Sequence, residues 1–240
     1  MKNLLEEIDS LQKEINSFKA LSKQIKEYYR IEFTYSSNAI EGNSLSESET
    51  KIILEDGVTI GGKPLRDHME AIGLSDAYDF LYVLMKNKTI TEQDIRKLHS
   101  LFYLRIDQKN AGVYRTVNAI ITGSKYPLVK PKELPMLMEN LIHNFEKIRS
   151  NNHPVYAAAL IHKEFVFIHP FIDGNGRVAR LLMNLILLQE GYNLTIISPV
   201  LRRDYIDALE KAHVDDSDFL EFIARMERET QKDFLRLFRH

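Results

Sequence analysis

Residues 169–180 read HPFIDGNGRVAR. Pro170 pushes His169 out of helical geometry, because the proline ring disfavours an αR conformation in the residue before it. The apolar run FVFI just before His169 therefore ends one helix. A second begins near Gly176, with RVARLLMNLILL as its body. The GNG triplet then sits at a helix N-terminus, where glycines let backbone N–H groups converge without Cβ obstruction. Those N–H groups, together with the helix dipole, form an anion pocket. Arg177 and Arg180 are three residues apart, so they share a face and reach toward the same anion. Two arginines in a first turn oppose the dipole, a local mismatch that a bound anion would resolve. Asp173 would repel phosphate oxygens unless a cation bridged them, and Mg²⁺ held by one carboxylate plus substrate phosphates is the usual arrangement. His169 adds an imidazole able to take a proton from a hydroxyl attacking phosphorus. The stretch reads as a phosphate-handling site set between two helices.

The 240-residue chain is 44% hydrophobic, enough for one large core. Its formal net charge of -2 gives no bulk attraction to nucleic acid. With no cysteine there are no disulfides, thiolate metal sites or thiol nucleophiles. MKNLLEEIDS lacks the apolar stretch of a secretory signal, and no apolar run approaches the roughly 18 residues of a membrane span. The expectation is a soluble cytoplasmic protein with neither a nucleic-acid nor a membrane partner.

Outward from the quoted stretch the chain is mainly α. Leu4, Ile8, Leu11, Ile15, Phe18, Leu21, Ile25 and Tyr28 recur at helical spacing and predict one long helix over residues 3–31, packed on its own domain or serving as a dimer contact. Breakers follow in TYSSNAIEGNSLSESET, and Ser46 with Glu49 forms a capping box ahead of KIILED. Further helices are expected over 64–85, after Thr91 with Asp94, over 131–150, after Pro154, over 202–212 and over 217–238. Residues 112–130, GVYRTVNAIITGSKYPLVK, are β-branched and aromatic with Gly and Pro punctuation, and predict a short hairpin. Phe171 and His162 are read as core residues.

The twelve residues match, at every fixed position, the Fic signature His-x-Phe-x-Asp/Glu-Gly-Asn-Gly-Arg-x-x-Arg, and the chain resembles that family over roughly residues 30–215. The flanking HPVYAAALIHKEFVFIHPF and RLLMNLILLQEGY are similar too. The resemblance implies a helical bundle with a small β-hairpin flap. It divides the chain into an N-terminal helix 1–32, a core 33–215 carrying the flap at 112–128, and a C-terminal helix 216–240 packed on the core. It further implies transfer of AMP from ATP to a Ser, Thr or Tyr hydroxyl of a target protein. His169 would be the base and Asp173 would hold Mg²⁺. Gly174, Asn175 and Gly176 would cradle phosphate oxygens, and Arg177 and Arg180 would fix the β- and γ-phosphates. Thr122, Gly123, Ser124 and Lys125 would line the nucleotide and pin the target backbone, with Tyr205 and Ile206 at the adenine.

SNAIEG, within segment 36–43, resembles the family's inhibitory motif through Ser37, Glu41 and Gly42. A carboxylate paired with Arg180 would take the place of the ATP γ-phosphate. The same resemblance implies a homodimer as one assembly, and self-modification as one outcome. Alternatives stay open: removal of AMP, transfer of UMP or phosphocholine, or a nucleotide-sensing module without catalysis.

Overall fold

The computed structural model describes residues 2–87 and 89–238, and the side chains of all of these except residues 19–22. Residues 1 and 239–240 of the expected terminal segments, and the side chain of the seam position Leu21, lie outside it. Ten α-helices are described: α1 Lys2–Ile15, α2 Ser22–Ile40, α3 Glu47–Asp56, α4 Leu65–Leu84, α5 Glu92–Tyr103, α6 Leu134–Asn151, α7 Pro154–Ile168, α8 Asn175–Gln189, α9 Arg202–Lys211 and α10 Ser217–Phe238. None is long and apolar enough to cross a membrane.

Beyond its first turns the helix α8 is buried all round: Val178, Leu181, Leu182, Met183, Leu185, Ile186 and Leu187 are fully buried. A helix of that kind must be central, and α4, α5 and α7 pack around it. The one polar residue between Leu181 and Leu187, Asn184, accepts from Thr195 N–H (2.7 Å) and donates to Thr195 C=O (3.2 Å), which pins the following segment alongside. Local signals hold where they were strongest. Ser46–Glu49 and Thr91–Asp94 both form reciprocal capping boxes, opening α3 and α5.

Two sequence expectations are corrected. The helix expected over 3–31 is broken by a 3₁₀ segment, Asn16–Leu21, in which Phe18 leaves helical geometry. Ser17 Oγ donates back to Glu14 C=O (2.7 Å), and Gln12 donates to Asn16 Oδ1 (3.2 Å), so side chains compete with the helical ladder there. The break lets α1 pack on α10 while α2 packs on α4. The helix α2 then runs past residue 32 and through the Asn and Ser breakers to Ile40, carrying SNAI at its C-terminal end.

The second correction is the hairpin. Among the described residues no strand forms over 112–130. Ile121 to Ser124 do make a turn, with Gly123 at φ 92 and Ser124 N–H donating to Ile121 C=O (3.1 Å), but no ladder leads to it. Ile120 is 89% exposed and Val117 54%. An isolated two-stranded ribbon with no surface to bury against is marginal in water, and here the segment is an extended loop tied down by side chains.

Candidate active site

The site lies where α7 hands over to α8. His169 caps α7 at φ 50, the only positive φ at a non-glycine among the described residues, and its N–H donates to Phe165 C=O (3.1 Å). Backbone strain of this kind persists only where the surroundings over-determine it, and here they do. Asn175, buried, accepts from Phe171 N–H (2.9 Å) and donates to Phe171 C=O (2.8 Å), closing the loop on itself. Arg115 donates through its side chain to His169 C=O (2.8 Å), Val117 C=O (3.1 Å) and Val129 C=O (2.7 Å), and through its backbone to Pro170 C=O (2.9 Å). One arginine thus ties both arms of the 112–130 loop to the histidine's own backbone. His99 on α5 accepts from Gly112 N–H at Nδ1 (2.8 Å), so its Nε2 carries the proton and donates to Asp173 C=O (3.0 Å). Its ring stacks on Phe171, which is fully buried, as a core reading requires.

The first turn of α8 shows why its glycines are needed. Gly174 sits at φ 80, and a Cβ there would meet the Phe102 ring at 2.9 Å. At Gly176 a Cβ would lie 2.2 Å from Glu41 Oε1. The anion pocket at this N-terminus therefore already holds a carboxylate from the same chain. Glu41 follows the last residue of α2, whose C-terminal turn bonds Glu41 N–H and Asn43 N–H to Asn38 C=O and Gly42 N–H to Ala39 C=O. Gly42, at φ 95, ends the helix and does not line the site.

Arg180 is buried and fully engaged. Its Nη2 donates to Glu41 Oε1 and to Ser37 C=O, and its Nε to Ser37 Oγ, all at 2.8 Å. Its Nη1 lies 3.5 Å from Tyr205 Oη, which bonds His162 Nε2 at 2.9 Å. Burial drives Glu41 toward a higher pKa, but Arg180 and then Arg177 outweigh it and hold the carboxyl below its usual range. Arg177, also buried, stacks over Phe102 at 4.4 Å and pairs with Asp173 Oδ1 (3.2 Å) and Glu70 Oε1 (3.3 Å). Asp173 is likewise held low: desolvation opposes it, and Arg177, the Gly174 N–H and Arg66 prevail. His169 goes down to about 4, chiefly by burial. With Nδ1 facing Val166 C=O (3.3 Å), its neutral ring leaves Nε2 as the acceptor.

A cleft of about 230 Å³ opens at Glu41 and His169, without Asp173, Arg177 or Arg180 in its lining. Glu41, His169, Gly176, Tyr205 and Ile206 line it, with Thr122, Gly123 and Ser124 from the loop. Lys125 lies outside; its N–H donates to Glu210 on α9 (2.7 Å), and next to it Tyr126 stacks on His213, which also stacks on Phe167 of α7. The donor set fits a cation of the Mg²⁺ kind. Among the described residues no cluster of three or more metal-ligating side chains exists. What the site provides is one carboxylate, Asp173, beside an anion pocket, and Mg²⁺ takes its remaining ligands from phosphate and water.

The model of the Fic/DOC family matches residues 89–187. A structure of Fic-1 from Caenorhabditis elegans, 30% identical, superposes with a TM-score of 0.89 over 99% of this chain and 72% of that one. The chain belongs to the Fic family. A Fic domain-containing signalling protein from Bacteroides thetaiotaomicron, 27% identical, superposes with a TM-score of 0.86 over 95% of this chain and 94% of that one. A protein adenylyltransferase Fic of Nematostella vectensis is 35% identical over 241 residues, 97% of this chain and 56% of its own length. The chain spans about half the length of the curated relatives it matches.

In this Fic protein the sequence and its family resemblance point to the loop, both arginines, Ser37 and Glu41, but not to Arg115, His99, Glu70 and Arg66. Arg115 left a faint signal, a lone charge inside a β-branched run. The other three sit on ordinary amphipathic helices and left none.

Proposed function

We propose that the chain is an auto-inhibited protein adenylyltransferase, which moves AMP from ATP to a Ser, Thr or Tyr hydroxyl of a target protein. The observation that carries this reading is the Glu41 carboxylate seated on Arg180 at the N-terminus of α8, in the same cleft as a neutral His169. An anion pocket filled by the chain's own carboxylate is what a restrained phosphate site needs.

In the proposed reaction Glu41 withdraws and the ATP triphosphate takes the pocket, its terminal phosphate meeting Arg180. His169 Nε2 accepts the target hydroxyl proton as that oxygen attacks the α-phosphorus. The bond from α-phosphorus to the bridging oxygen breaks, pyrophosphate leaves, and AMP remains esterified to the target. Asp173 would hold Mg²⁺, which supplies charge neutralisation at the phosphates. Positioning and electrostatics carry such phosphorus chemistry. Support for an extended target segment comes from the exposed Val117, Ile120 and Tyr126 on the loop beside the cleft. The relatives named protein adenylyltransferase Fic support the donor and the transferred group.

A second reading, removal of AMP, draws on the same cleft: Glu41 and His169 both line it, so the carboxylate is close enough to the reacting region to orient a water. Label transfer from α-labelled ATP with Mg²⁺ tests the proposal, with and without lysate. Glu41→Gly is expected to label strongly and wild type weakly, with Glu41→Gly combined with His169→Ala silent. Labelling of the chain itself without lysate would identify self-modification. Silence from all three proteins despite tight ATP binding would overturn the transferase reading.

A further inference from the structure

Four charged side chains form a closed ring around the first turn of α8. Glu70 on α4 accepts from Arg66 Nε (3.0 Å) and pairs with Arg177 Nη1 (3.3 Å). Both arginines then reach the same acid: Arg66 Nη2 donates to Asp173 Oδ2 (2.5 Å) and Arg177 Nη2 to Asp173 Oδ1 (3.2 Å). Signs alternate all the way round, Glu70, Arg66, Asp173, Arg177. Asp173 Oδ1 also takes the Gly174 N–H (2.6 Å). Each oxygen of Asp173 is therefore covered by a guanidinium of the chain.

A divalent cation can reach Asp173 only by displacing one of these groups, and they differ sharply. The Arg177 side chain is 4% exposed, stacked on Phe102 and held by Glu70, so leaving Asp173 would strand a buried charge. The Arg66 side chain is 53% exposed at the start of α4, where water can take over its hydrogen bonds. Glu70 would keep Arg177 and the Asn43 amide (3.0 Å), so the rest of the ring survives the departure.

We propose that Arg66 stands in for the divalent cation in the resting protein, holding Asp173 Oδ2 until a metal ion displaces it. The resting site is thereby charge-balanced without metal, and cation binding is competitive with an internal guanidinium. This is a second restraint, on the cation side of the pocket, separate from Glu41 on the anion side. It rests on the reading of Asp173 as the cation-holding carboxylate.

The test is Mn²⁺ binding to the nucleotide-free full chain, followed by the EPR signal of free Mn²⁺ at constant pH and ionic strength. Arg66→Gln is expected to tighten Mn²⁺ about five-fold, the scale of one exposed ion pair removed from competition. Arg66→Lys should stay near wild type, and Asp173→Asn should abolish the binding in every background. Lys63→Gln controls for net charge, since Lys63 lies three residues away and bonds Ser44 C=O and Glu49 instead. Unchanged or weaker Mn²⁺ binding in Arg66→Gln overturns the proposal, as does equal tightening in Lys63→Gln. Mn²⁺ binding insensitive to Asp173 overturns it by removing its premise, and does so independently of whether Glu41→Gly labels a target.

Discussion

His169 combines a left-handed backbone with a half-buried ring, and both shape its chemistry. Burial lowers its pKa to about 4, while Glu41 and Asp173 pull it back upward. The proton-accepting form is the deprotonated one, so it is fully populated at any pH well above that value. For Glu41→Gly, which also loses one of the groups raising the pKa, kcat/KM for label transfer should stay flat from pH 8 to pH 6. With His169 as the proposed base, a fall toward lower pH should come only near pH 5 or below, since this parameter reports the free enzyme's base. A pH–rate profile with an apparent pKa near 6.5 would show that the ring is solvated and that burial does not set its protonation.

At the scale of the element, the proposed restraint places the switch on α2, whose last turn seats Glu41 on Arg180. Its last turn carries favourable and unfavourable terms together. Ser37 and Glu41 satisfy a buried guanidinium, which would be costly to leave uncompensated. Asn38, between them and 3% exposed, makes no side-chain hydrogen bond among the described residues through either Oδ1 or Nδ2. A buried unsatisfied amide costs about 1–3 kcal/mol, and it weakens the helix at the point where, on the proposed reading, Glu41 would let go. Asn38→Ala should therefore stabilise the protein by about 1 kcal/mol, helped by the better helix propensity of alanine. It should also lower the residual labelling of wild type. Urea denaturation and the label-transfer assay check both; a destabilised variant with raised labelling would mean that Asn38 supports the closed state.

For the whole molecule, the two ends of the chain are joined around a buried acid. Glu227 on α10 is fully buried, accepting from Thr195 Oγ1 (2.5 Å) and Gln231 Nε2 (2.9 Å). Gln231 also donates to Gln12 on α1, whose Oε1 accepts from Asn193 N–H (3.0 Å). Among the described residues no cation pairs with it, and burial raises the Glu227 pKa from 4.5 to about 8. The folded state then binds a proton that the unfolded chain has lost, so this group's stabilisation is full below about pH 4.5 and fades as pH rises toward 8. Glu227→Gln should remove that slope: thermal melts of wild type should decline from pH 5.5 to pH 8, and those of the variant should decline less. Parallel curves would mean that Glu227 is ionised in the native protein.

What could be read in the chain alone was local. Capping boxes act within one turn, Pro170 restricts its immediate neighbour, and the twelve residues from His169 to Arg180 lie close enough for backbone geometry to bring their groups together. Those features located the helix junction and most of the side chains that gather at the N-terminus of α8. The three-dimensional packing decided the rest. Glu41 meets Arg180 across 139 residues and Arg66 meets Asp173 across 107; residue spacing points to neither, the first being implied only by the resemblance of SNAIEG to the family motif and the second by nothing in the sequence. The β-branched run at 112–130 lacks a partner surface, so strand propensity there yields to Arg115 and to the turn at Gly123. Local sequence sets conformational preferences turn by turn; which charge faces which, and which side chains lose their water, depends on how α2, α4 and α5 close around α8.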